Sequence, residues 1–147
     1  MKTKKTYMRD GRAPIPKNEL TSKIMSSIKG KNTKPELMLR KALSNSNIRG
    51  YRVHWKKVIG NPDIAFVSKK IAIFVHGCFW HRCPHCHPHV PKSHSSYWQE
   101  KFSKNVQRDK RYQEQLKKMG WKTIIIWECE SKKDINICVN RIGNVLG

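Results

Sequence analysis

The stretch from Ile73 to His87, IFVHGCFWHRCPHCH, sets Cys78, Cys83 and Cys86 among His76, His81, His85 and His87. The spacing Cys78-x4-Cys83-x2-Cys86 supplies three soft ligands, and Cys129 is available further along as a fourth. A closed structural zinc site takes four Cys or His ligands, and a C-x2-C pair is a common half of one. His85 is the alternative to Cys86 for one of the four places. A redox C-x-x-C would call for a thioredoxin-like βαβ pattern, which does not surround this one. Cys138 falls on an apolar helical stripe and reads as core.

Hard-metal chemistry has its own candidates. Asp63 follows Pro62 and opens an otherwise apolar strand. A hairpin closed by a three-residue turn between Val67 and Ile71 sets Asp63 opposite Val75 and beside His76. A carboxylate, a backbone carbonyl and a neighbouring base can hold Mg²⁺ against a phosphate. The plain alternative is an ordinary turn aspartate after proline. Glu36 completes a capping box with Thr33, and the same helix could aim its carboxylate at the metal. Asp109 shares a helix face with Phe102, Asn105, Val106 and Leu116, so its charge needs a partner. A histidine would be oriented by it, and a salt bridge to Arg108 or Lys110 is the alternative. His76 and His81 flank Cys78-Phe79-Trp80. One could serve as a general base on water while the other contacts the phosphate.

These residues need elements to carry them. Residues 1–20 read as a flexible basic arm and residues 21–147 as a single domain. A short helix is expected over Thr21–Ile28, then a second from Thr33, with Pro35 in its first turn. Tyr51–Trp55 reads as an edge strand, and DIAFV and IAIFV as a hairpin of central strands. A helix from about Ser96 to Met119 stops at Gly120, with an apolar stripe of Phe102, Val106, Tyr112, Leu116 and Met119. WKTIIIWEC is a buried strand that ends at Cys129, and Asp134 caps a last helix. The order α-α-β-β-β-α-β-α predicts an α/β (α+β) domain, a small mixed sheet with helices on its faces. A zinc staple from the loop to the later strand would let Phe79 and Trp80 stand out rigidly.

The formal charge of +21, from 31 Lys and Arg against 10 Asp and Glu, speaks of partners and not of fold. Basic residues interleaved with aromatics suit nucleic acid better than an anionic membrane. The start, MKTKKTYMRDGR, lacks the apolar core of a signal peptide or membrane span, so a cytoplasmic protein with reduced thiols is expected.

The motifs HGCFWH, YWQEKFSKNVQRD and GWKTIIIWEC resemble those of the very short patch repair endonucleases, over about Thr21 to Cys129. The resemblance implies a restriction-endonuclease-like fold. It also implies an enzyme that nicks DNA 5′ to the thymine of a T·G mismatch left by 5-methylcytosine deamination. By position, Asp63 and the Val75 backbone carbonyl match the catalytic Mg²⁺ ligands. His76 and His81 match the active-site histidines, with His81 as the base. Asp109 matches the carboxylate behind that histidine, and Glu36 an acid near the metal waters. Phe79, Trp80 and Trp98 match aromatics that wedge into the duplex. One common family pattern places the last zinc ligand at His85 instead of Cys86. Mismatch-repair proteins are implied as partners, and the chain is expected to act as a monomer near the nucleoid. A nuclease of a restriction system, or a zinc-stabilised DNA-binding module without catalysis, are the competing readings.

Overall fold

The computed structural model describes residues 32–147. The basic arm expected over residues 1–20 and the helix expected over Thr21–Ile28 lie outside the described residues. Helix α1 spans Lys34–Asn45, strand β1 Arg52–Val53, β2 Ile64–Phe66 and β3 Ile71–His76. There follow α2 (Cys78–His81), the long α3 (Ser95–Lys118), β4 (Lys122–Trp127), α4 (Glu128–Lys133) and α5 (Ile135–Leu146). The sheet runs β1-β2-β3-β4. The first three strands are antiparallel neighbours, and β4 lies parallel to β3. A parallel neighbour requires a crossover, and α2 and α3 provide it. The small mixed sheet flanked by helices is therefore as expected.

Side chains alternate across the sheet, and the alternation sorts the two cores. Ile64, Phe66, Ile71, Ile73, Ile124 and Ile126 face Leu39 and Leu43 of α1 and Cys138, Val139 and Ile142 of α5. Each such side chain, fully buried, contributes roughly 1.5–3 kcal/mol. The opposite face carries Ala65, Ala72 and Phe74 against Leu116 of α3 and Trp121. Ala65 pairs with Ala72 in the register, so that face is shallow where α3 crosses it. His76 lies two residues beyond Phe74 and falls on the α3 side by the same alternation.

Helix α3 ends as expected at Gly120, whose φ is +85°. The Gly120 N–H donates to Lys117 O at 3.0 Å and the Trp121 N–H to Leu116 O at 2.9 Å. That is a Schellman closure, and it turns the chain directly into β4. Asp134 caps α5, accepting the Asn136 N–H at 3.0 Å.

Four expectations are corrected. The hairpin pairs Ile64 with Ile73 and Phe66 with Ile71, one residue out of the expected register. The cause is its connection, a 3₁₀ turn over Val67–Lys69 followed by Lys70 at φ +54°, which adds a residue to the loop. β4 stops at Trp127 because Glu130 accepts the Trp127 N–H at 2.9 Å and starts α4, so Cys129 sits on a helix. Val106 and Met119 are exposed; the buried positions of α3 are Phe102, Asn105 and Leu116. The Thr33 side chain caps no backbone N–H; its hydroxyl instead donates to the Glu36 carboxylate at 3.2 Å.

Candidate active site

The sheet brings Asp63 to β3 by a route other than direct pairing. Although the register is shifted, Asp63 Oδ2 accepts the Val75 backbone N–H at 2.7 Å. Burial raises the Asp63 carboxyl from 3.8 to about 6, against the opposing effect of that N–H, and the nearby Glu36 raises it further. Its other oxygen is left for a ligand.

Beside it stands a paired imidazole. His81, the last residue of α2, places Nδ1 2.5 Å from Asp109 Oδ2 on α3. An ionised carboxylate only accepts, so Nδ1 carries the proton and Nε2 keeps its lone pair. Burial would raise Asp109, but the bond to His81 outweighs it and holds the carboxyl low. The His76 ring stacks on His81 at 3.9 Å between centroids and 6° between planes. Burial first, then the neighbouring His81, lowers His76 from 6.5 to about 4, so it is neutral at neutral pH. Its Nδ1 is buried without a partner among the described residues. Asn105, buried on the same helix, donates to the Trp80 carbonyl at 3.1 Å and fixes α2 against α3.

Glu36 reaches the site from α1. It is only 4% exposed, and Oε1 lies 2.9 Å from His54 Nε2. Ligand atoms of Glu36, His54 and Asp63 all lie within 4.8 Å of one another, as do those of His76, His81 and Asp109. One cleft of about 750 Å³ is lined by Glu36, Asp63, His76, His81, Arg108 and Asp109. Hard oxygen donors meet a base and a cation around a space large enough for a phosphodiester.

The thiols gather from the start of α2, the loop after it and the start of α4. The Sγ atoms of Cys78, Cys83, Cys86 and Cys129 lie within 4.8 Å of one another, and His85 is outside the group. His85 instead donates its backbone N–H to Cys83 Sγ at 3.3 Å. Cys83 and Cys129 are 3.6 Å apart between sulfurs, too far for a disulfide. A tetrahedron with metal–sulfur bonds of about 2.3 Å has sulfurs roughly 3.8 Å apart, so the four thiols fit a zinc ion. Burial pushes the Cys78 and Cys129 thiols up. At Cys83 burial is outweighed by the backbone N–H groups of Cys86 and His85, and the thiol is lowered. Cys138 is buried in the core, as expected.

The aromatics between the two clusters pack together. Phe79 meets Trp80 at 5.0 Å, Trp98 at 5.6 Å and Phe102 at 5.1 Å, each nearly edge to face. Phe79 and Trp80 are half-buried and do not stand out from the surface as expected. Attractive edge-to-face contacts hold them down.

With this geometry in view, the comparisons with known proteins are decisive. The sequence model of the family described as DNA mismatch endonuclease Vsr matches residues 15–87. A type II nicking enzyme, V.NmeAIP of Neisseria meningitidis, is 40% identical over 123 residues, covering 84% of this chain and 86% of the relative. The chain belongs to the Vsr family. The type II nicking enzyme V.XorIIP of Xanthomonas oryzae is 37% identical, over 84% of this chain and 89% of the relative. The DNA mismatch endonuclease Vsr of Escherichia coli K12 is 38% identical over 109 residues, 74% of this chain and 69% of the relative. As a Vsr-family protein the chain is a DNA endonuclease, and the reading as a DNA-binding module without catalysis falls away. Among the described residues no helix is long and apolar enough to cross a membrane.

In this Vsr-family cleft Asp63, His76, His81, Asp109 and Glu36 come together from five elements or their ends. Two residues went unread in the sequence. His54 ends β1 at φ +52°, a conformation no pattern of residue types announces. Arg82, at φ +54°, donates to the Phe79, Pro88 and His89 carbonyls and lies 4.2 Å over the Phe102 ring. It looks like one more basic residue in a basic chain, which hid it.

Proposed function

We propose that this endonuclease nicks duplex DNA 5′ to the thymine of a T·G mismatch, by Mg²⁺-dependent hydrolysis, and so starts very short patch repair. The observation that carries the reading is the single cleft in which Asp63 faces the His81–Asp109 pair. Asp63 is desolvated, and no Lys or Arg among the described residues forms an ion pair with it. That combination suits a divalent cation, held by Asp63 and the Val75 carbonyl with Glu36 near its waters. Such a cation supplies charge neutralisation at the scissile phosphate and the departing oxygen.

The chain's own residues do the rest. His81 Nε2 takes the proton of the attacking water, while Asp109 holds the ring in one tautomer and stabilises the imidazolium that results. His76, neutral and stacked, keeps the His81 ring in plane. Arg108 offers a cation to the phosphate from the same cleft. Cys78, Cys83, Cys86 and Cys129 hold a structural zinc that ties the α2 loop to α4. Phe79, Trp80 and Trp98 open on binding and wedge into the duplex, and unstacking costs less at a mismatch. Residues 21–147 make a single catalytic domain, and the Lys and Arg of residues 1–20 add to the positive charge available to phosphates. The protein works as a monomer on nucleoid DNA in the cytoplasm, handing nicked duplex to mismatch-repair proteins.

A second reading is favoured by the names of V.NmeAIP and V.XorIIP, both type II nicking enzymes. On that reading the chain nicks DNA alongside a type II restriction system, at that system's own sequence. One experiment addresses both: nicking of duplexes that vary the mismatch and its flanking bases, with and without Mg²⁺. The T·G duplex should be cut 5′ to the thymine, and Asp63→Ala should reduce the rate by at least about 10³-fold. Equal cutting of matched duplex would sink the mismatch specificity. Undiminished nicking by Asp63→Ala would sink the metal assignment.

A further inference from the structure

His54 joins the two acids of the cleft without belonging to either of their elements. Its backbone N–H donates to the Asp63 carbonyl at 3.0 Å, and the next N–H, of Trp55, donates to the Pro62 carbonyl at 3.1 Å. Its imidazole Nε2 meets Glu36 Oε1 at 2.9 Å. The other donors to Glu36 are the Asn32 N–H, at 3.1 Å, and the Thr33 hydroxyl. Both are local to the start of α1. Among the described residues, His54 is thus the donor that reaches Glu36 from outside its own helix. An ionised carboxylate accepts only, so Nε2 is the protonated nitrogen of the ring. Among the described residues these three donors fill three of the roughly four acceptor sites of Glu36.

The backbone is bent to make this possible. At φ +52° His54 leaves the extended conformation of β1 at the point where the chain passes Asp63. Histidine is among the non-glycine residues that tolerate this region, and such strain persists where the surroundings demand it. Glu36 and Asp63 carry like charges, and ligand atoms of both lie within 4.8 Å of His54 and of each other. Something must hold them there.

We infer that His54 is a positioning residue of the cation site. Through its ring it fixes Glu36, and through its backbone it fixes Asp63, so that two acids 27 residues apart in the chain present one preformed set of oxygens. The inference rests on the proposed role of Asp63 as the holder of the catalytic cation.

The probe is Mn²⁺, its binding to the full chain measured by electron paramagnetic resonance of the free ion, without DNA. His54→Asn suits the left-handed backbone and is too short to reach Glu36. His54→Gln places an amide N–H close to where Nε2 lies. His54→Asn should weaken Mn²⁺ binding by about 10–100-fold, the range for partners that orient metal ligands. His54→Gln should restore binding to within about threefold of the parent. In a Glu36→Gln background His54→Asn should add little, because the contact it removes is already weakened. Melting curves and zinc content establish that each variant is folded. Unchanged Mn²⁺ affinity in His54→Asn, with Asp63→Asn weakened, overturns the role of His54 alone. Equal loss in His54→Gln and His54→Asn also overturns it, since the ring itself would then be the ligand. If Asp63→Asn binds Mn²⁺ like the parent, the cation site itself is misplaced.

Discussion

Four thiols from α2, the loop after it and α4 converge, with the Cys83 and Cys129 sulfurs 3.6 Å apart and backbone N–H groups donating to Cys83 and Cys78. In the cleft, by contrast, carboxylates and imidazoles are already bonded to the chain or to one another: Asp63 to Val75, His81 to Asp109, Glu36 to His54. The first cluster has the ligand set of a structural metal site. Burial disfavours the thiolate forms of Cys78 and Cys129, which a bound cation would favour. The second is organised before any cation arrives, which a site for stabilising a transition state requires. Both share α2, so each metal should be removable with a different consequence.

The largest expected effect tests the thiol side. Purified protein should contain about one zinc per chain, and Cys83→Ser should lose it. Because structural zinc contributes its binding free energy to folding, stripping it should lower stability by several kcal/mol, read as a large fall in melting temperature. His85→Ala should keep its zinc, since His85 offers only its backbone N–H. Omitting Mg²⁺ should lower the melting temperature far less than stripping zinc. A chain without zinc, or one that melts alike with and without it, would erase the contrast.

Next in size is a change on the preformed side. Asp109→Asn removes the charge behind His81 and keeps the shape, so kcat for nicking should fall by about 10²-fold. Zinc content and the Mg²⁺ concentration for half-maximal rate should stay as they were. A variant that instead shifts the Mg²⁺ requirement would make Asp109 part of the cation site and not the support of a base.

How much of this could be read from residues follows the same division. The Cys spacing and the apolar runs obey short-range rules, so the thiol set, the hairpin, the long helix with its Gly120 stop and the mixed sheet were legible. Choosing Cys86 over His85 needed three dimensions, because both lie within one short loop. Asp109 was legible as a misfit on an apolar face that needed a partner such as histidine, and the resemblance pointed to His81. The hairpin register was missed by one residue, since a 3₁₀ turn ending in a left-handed Lys70 has no strong signature in Val67-Ser68-Lys69-Lys70. Glu36 read as a cap because Thr33-x-x-Glu36 satisfies the rule locally. The fold overrode it by bringing His54 from β1. Cys129 was placed on a strand because an apolar run preceded it. Yet Glu128 and Glu130 followed by Lys132 and Lys133 suit a short helix, acidic at its start and basic at its end.

The smallest expected effect separates readiness for a cation from ordinary stability. Asp63 is raised from 3.8 to about 6, chiefly by burial, so between those values the folded chain holds a proton that the unfolded chain has lost. Wild-type stability therefore falls as pH rises through this window, and the penalty is complete above pH 6. His76, lowered from 6.5 to about 4, acts oppositely and loses stability as pH falls through its own window. That contribution is common to wild type and an Asp63 variant and cancels in their difference. Asp63→Asn keeps an oxygen for the Val75 N–H and removes the buried charge. Without added Mg²⁺ it should be more stable than wild type at pH 8 by about 1–2 kcal/mol, less than the roughly 3 kcal/mol the pKa change equates to, because the new amide is itself imperfectly paired. From pH 8 to pH 5 the gain should fall by about 1.4 kcal/mol, about half of that equivalent, and so come close to zero. Adding Mg²⁺ at pH 8 should stabilise wild type and leave the variant unmoved. A variant less stable than wild type at pH 8 would mean that Asp63 is comfortable without a cation, and the preformed side would then be no more primed for metal than an ordinary turn.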